Sequence, residues 1–136
     1  VLFLAHGYHE TGMAMMEPSR ATSREIRSAA SYFEKARNIW PNPAFDAAHG
    51  WSNVLLARYE KNPEYLNAAY RDYSRAVRKS PDALRYRVGF GETLLLMGDS
   101  SRAAMQFKEA ARLNPRGPYA GRYLQLILDR GPQPGP

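Results

Sequence analysis

Residues 84–117 read LRYRVGFGETLLLMGDSSRAAMQFKEAARLNPRG. Ala103, Phe107 and Ala110 stand at i, i+4 and i+7, which puts a small, an aromatic and a second small side chain on one face of a helix. Pro115 follows Ala110 by five residues and stops that helix, because proline lacks the N–H and pushes the preceding residue out of the helical region. Upstream, Phe90-Gly91 and Leu94 form an apolar helical face ending at the turn residue Gly98. Asp99, Ser100 and Ser101 then supply side chains that accept the first free N–H groups of a new helix. The segment reads as two antiparallel helices, about 84–97 and 100–113.

The spacing recurs twice upstream, as Ala29, Phe33, Ala36, Pro41 and as Ala69, Tyr73, Ala76, Pro81, and Pro81 to Pro115 spans 34 residues. This pattern resembles the tetratricopeptide repeat family, whose second helix carries small–aromatic–Ala and whose 34-residue unit ends at Pro. The resemblance implies an all-α fold, an antiparallel helix-pair solenoid of about three repeats near 1–41, 42–83 and 84–117. Tyr119, Tyr123, Leu124, Ile127 and Leu128 form an amphipathic run suited to the capping helix (118–129) that an end repeat requires. The helical domain is thus expected over 1–129, and the Pro/Gly-rich stretch 130–136 is expected to be a disordered tail.

Two repeats depart from the pattern. Leu4-Ala5, Tyr8 and Gly12 match the first-helix positions and turn glycine of the family, yet the second helix is marked later, by the capping-box spacing of Thr22 and Glu25. The excess, about residues 13–24, is either a partner-specific contact or a longer first helix followed by a loop. In the middle repeat, Pro41 to Pro81 spans 40 residues. Ala48-His49-Gly50-Trp51 echoes Ala5-His6-Gly7-Tyr8, while Leu56-Ala57 also fits the first-helix position counted back from Pro81. Both phases hold if this helix, about 44–61, is longer by more than one turn, and Asn62-Pro63-Glu64 replaces the glycine turn.

Composition excludes several classes. With no cysteine, disulfides, thiolate metal sites and cysteine nucleophiles are absent. No stretch approaches the ~18 apolar residues of a membrane span, and mean hydropathy is −0.55. Val1–Ala5 is too short for a signal peptide and reads either as the trailing edge of an apolar segment or as the first turns of a core helix, the second being the expectation. Nineteen Lys and Arg against thirteen Asp and Glu leave a charge of +6, carried entirely by residues 51–136. Arg71, Arg75, Arg78, Lys79, Arg85 and Arg87 cluster there, a patch suited to a solvated face or to a polyanion.

Catalytic machinery is missing from the pattern. There is no Gly-x-Ser-x-Gly, no phosphate-cradling loop and no carboxylate pair on one apolar face. His6, His9 and Glu10 could meet on one helix face, with Met13, Met15 and Met16 nearby, but adaptable packing explains those methionines. The chain reads as a non-enzyme without catalytic residues, metal, cofactor or small-molecule substrate.

In the family it resembles, the first helices line a concave groove that holds a peptide or a helix. Carried over by position, Arg85, Val88, Glu92 and Leu95 of the last repeat face inward, as do Trp51, Val54, Leu55 and Arg58 of the middle one. The partner-binding candidates are therefore Trp51, Val54, Arg58, Arg85, Val88 and Glu92, with Trp51, Arg58 and Arg85 the expected energetic anchors. The Lys and Asn with which some members grip a C-terminal carboxylate are replaced by Val54, Arg58, Val88 and Glu92. The leading expectation is a scaffold that docks a protein partner within a larger assembly, a membrane-associated, bacterial and periplasmic or membrane-peripheral one included. The alternatives are the accessory soluble tail of a membrane glycan ligase of the O-antigen-ligase type, which the stretched repeats weakly resemble, and a basic-patch nucleic-acid binder.

Overall fold

The computed structural model describes residues 1–17 and 21–129. It contains seven helices and no strand among those residues: α1 (Leu2–Met15), α2 (Ser23–Ile39), α3 (Pro43–Glu60), α4 (Pro63–Lys79), α5 (Leu84–Leu96), α6 (Ser100–Leu113) and α7 (Tyr119–Asp129). Each helix packs on the next in chain order, and α3 also touches α1 and α5. The helices thus form pairs, α1/α2, α3/α4 and α5/α6, closed by α7. The expectation of a disordered tail concerns 130–136, outside the described residues, as do residues 18–20 of the excess segment.

Local chemistry accounts for the helix ends. Asn42 and Asn62 accept bonds from the N–H groups of Ala44 and Glu64, at 2.9 and 3.0 Å, and each is followed by a proline in the first turn. Thr22 and Glu25 form the reciprocal capping box. The Asp99 carboxylate accepts from Arg102 N–H at 3.0 Å. Gly98 takes φ 82° at the α5–α6 turn, while at the α3–α4 turn Lys61 takes φ 49° in glycine's place.

The second helices bury the small–aromatic–Ala stripe as the spacing predicts. Ala29, Phe33 and Ala36, then Ala69, Tyr73 and Ala76, then Ala103, Phe107 and Ala110 are all buried. Each aromatic ring lies on a glycine of the preceding first helix. A Cβ on Gly12 would come within 2.6 Å of the Phe33 ring, one on Gly50 within 3.0 Å of Tyr73, and one on Gly91 within 2.9 Å of Phe107. A glycine there lets helix and ring close together without a void. Burying one such ring contributes roughly 2–3 kcal/mol.

These contacts correct two sequence readings. Gly12 is not a turn glycine: α1 continues to Met15, and Gly12 is buried beneath Phe33. The excess segment is thus partly helix, and Met16 after it is buried beside Ala29 and Phe33. In the middle repeat the ring contact falls on Gly50, which makes Gly50 the equivalent of Gly91 and fits neither alignment, since one sets Ala48 and the other Ala57 at that position. Gly50 precedes Tyr73 by 23 residues, whereas Gly91 precedes Phe107 by 16. Seven extra residues amount to about one helical turn on each limb, so the α3/α4 hairpin is lengthened at its turn end.

A buried ionic cluster ties α2, α3 and α4 together. Asp46 and Asp72 are 0% and 1% exposed. Asp72 accepts from Arg37 Nη1 at 2.8 Å and Arg75 Nη2 at 2.7 Å, and its other oxygen lies 2.6 Å from His49 Nδ1. Asp46 accepts from Arg75 Nε at 3.3 Å and Lys79 Nζ at 3.1 Å. Two carboxylates in the interior are tolerable only with such partners. Arg75 and Lys79, two half-exposed members of the basic run, are therefore committed to the buried carboxylates, and Arg87 bonds Gln106 and the Pro81 carbonyl.

Candidate partner-binding groove

A cavity of about 840 Å³ opens along the face made by the first helices. α1 contributes His9 and Met13, α3 contributes Ala44, Ala47, Ala48, Trp51 and Arg58, α5 contributes Arg85, Val88, Gly89 and Glu92, and Tyr119 of α7 closes one end. Ala44, Ala47, Ala48 and Trp51 follow i, i+3, i+4 and i+7, so they form one stripe down α3. Their small side chains leave the volume that a partner can fill.

Five of the six sequence candidates meet in this cavity: Trp51, Arg58, Arg85, Val88 and Glu92. Trp51 is 39% exposed, so part of a large apolar ring faces the cavity. Val54 does not join them. It is fully buried and packs with Ala69 and Tyr73, so it offers no surface to a partner. Val54 lies seven residues beyond Ala47 on the same side of α3, but Ala69 and Tyr73 of α4 cover it there. Leu55 and Leu95 likewise pack into core clusters.

Electrostatics divide the lining residues. Glu92 faces Arg122 of α7 at 3.5 Å. Among the described residues, Arg58 and Arg85 are paired with no carboxylate. The groove thus keeps an uncompensated positive charge. Tyr73, at its floor, is held a neutral phenol because burial pushes its ionisation well above the usual range, with Asp72 adding to the effect.

Sequence reading did not place His9, Ala44, Ala47, Ala48 or Gly89 in the groove. His9 stacks on Phe33 and Phe45, at ring centroid distances of 5.6 and 5.0 Å. Burial lowers its pKa, with His6 adding to that and Glu10 opposing it, and its buried Nδ1 has no hydrogen-bond partner. The ligand cluster read around His6 and His9 is thus an aromatic packing site, His6 also meeting the Phe45 ring at 5.7 Å. The i, i+3, i+4 alanine spacing was a signal available in the sequence, had the register of α3 been known.

No protein-family model and no curated protein matches this sequence. Solved structures do resemble it. The tetratricopeptide-repeat domain of Arabidopsis OM64 superposes with a TM-score of 0.79 at 14% identity, over 95% of this chain and 98% of that one. The first such domain of Spaghetti (RPAP3), bound to the HSP90 peptide SRMEEVD, gives 0.82 at 13% identity over 97% of both chains. The UNC-45 chaperone gives 0.73 at 15% identity over 93% of this chain, which spans 13% of that protein. At such identities the likeness speaks to architecture: this chain has the tetratricopeptide-repeat fold.

Proposed function

We propose that the chain is a non-catalytic scaffold that holds a segment of a protein partner in the groove between α1, α3 and α5. The observation that carries this reading is the cavity of about 840 Å³ with Trp51 exposed on its wall beside Arg58 and Arg85. Tryptophan and arginine are the residue types that most often dominate binding energy. The Spaghetti domain, of the same fold, is bound to a peptide, which supports a peptide-like occupant here.

The reading extends to docking within a larger assembly, a membrane-associated one included.

Affinity capture from the native source, followed by mass spectrometry, tests the reading. A discrete protein retained by the wild type and lost with Trp51→Ala and Arg85→Glu is the expected result. A partner held equally by both variants places the interface elsewhere and contradicts it.

A further inference from the structure

The two unpaired cations of the groove stand at opposite ends of an apolar floor. With Gly50 and Gly91 as equivalent positions, Arg85 is level with Ala44 at the start of α3. Arg58 lies on the added length of α3, about 20 Å further along at 1.5 Å per residue. Between them the lining is Ala47, Ala48, Trp51, Val88 and Gly89. Glu92 does not cancel either cation, being turned to Arg122.

We propose that the occupant is an internal stretch of a protein partner in which apolar residues are flanked on both sides by Asp or Glu, one carboxylate meeting Arg85 and the other Arg58. The inference rests on the groove reading above and specifies its ligand. A free C-terminal carboxylate satisfies one end of the groove and leaves the other cation unmatched. A nucleic acid matches both cations but leaves the alanine and valine floor uncovered. An apolar centre with acidic flanks answers all three features, burying the floor and placing charge where it is complementary.

The test is selection from a random-peptide library displayed inside a surface loop of a carrier protein, so that no free terminus is offered. The wild type is expected to enrich sequences with an apolar centre and Asp or Glu on both flanks. Arg85→Glu and Arg58→Glu are each expected to weaken the selected peptides about tenfold and to switch the preference at one flank, a different one in each variant, to Lys or Arg. Sequences without acidic flanks, whose binding Trp51→Ala still abolishes, overturn this inference while leaving the groove reading intact. Failure to enrich any sequence, or enrichment unaffected by Trp51→Ala, overturns both. Tighter binding of a mixed-sequence single-stranded oligonucleotide than of any selected peptide, falling steeply with salt and lost in the double Arg variant, overturns it in favour of a nucleic acid.

Discussion

The ring of Tyr73 on α4 lies against Gly89 of the following repeat, at 2.3 Å from where a Cβ would stand. Gly50 of its own repeat receives the same ring at 3.0 Å. One aromatic side chain thus sets the spacing of α3, α4 and α5 and forms part of the groove floor.

From this contact Gly89→Ala is expected to destabilise the fold by about 1–3 kcal/mol, the usual cost of overpacking. Gly7→Ala makes the opposite change in sign. Gly7 is also within a helix, but nothing lies within 4 Å of its would-be Cβ, so relief of the glycine penalty stabilises by roughly 0.5–1 kcal/mol. Urea midpoints of the two variants at unchanged m-value measure both effects. Pairing Gly89→Ala with Tyr73→Leu should recover part of the loss.

Asp72 is the hub of the buried cluster, accepting from Arg37 and Arg75 and touching His49. Asp72→Asn leaves those cations facing a neutral amide, though they keep Asp46 and partial contact with water, and a loss of about 1–3 kcal/mol is expected, as for losing hydrogen bonds to a charged group. Arg71→Gln, an exposed neighbour on the same helix, should fall within about 0.5 kcal/mol of the wild type. Chemical denaturation of both variants decides the point.

His9 is the pH-sensitive group of the groove. Burial lowers its pKa in the folded chain, so below the ordinary value of about 6.5 the unfolded chain binds more protons at this site than the folded one. The contribution of this residue is fully present above that value and declines as pH falls through it toward the lowered folded value. The fall in Tm between about pH 7.5 and 5.5 should therefore be smaller in His9→Gln than in the wild type, as read by circular dichroism. An equal fall in both proteins counts against this assignment.

Repeat number and helix pairing were legible because they rest on local rules. The stripes through Phe33, Tyr73 and Phe107 need only helical periodicity, and Thr22 with Glu25 needs only capping geometry. What escaped depends on contacts between helices. Asp46 and Asp72 meet the same arginines although 26 residues separate them, and in sequence Asp72 looks like a diluting acid in a basic run. Val54 was misplaced because Ala69 and Tyr73 of α4 cover it, a contact between helices that spacing along α3 does not reveal. Trp51 and Arg58 reached the groove regardless, since residues seven apart share a helix face.

The most direct test of the account uses the captured partner's minimal segment, fluorescently labelled, titrated with wild type, Trp51→Ala and Met105→Ala. Met105 is 65% exposed on α6 and does not line the groove, so it controls for loss of an exposed apolar side chain elsewhere. The account predicts at least a tenfold loss of affinity with Trp51→Ala, about 1.4 kcal/mol or more, in a variant still folded at the temperature of the titration, and no change with Met105→Ala. Full affinity with Trp51→Ala, or a loss confined to Met105→Ala, contradicts it.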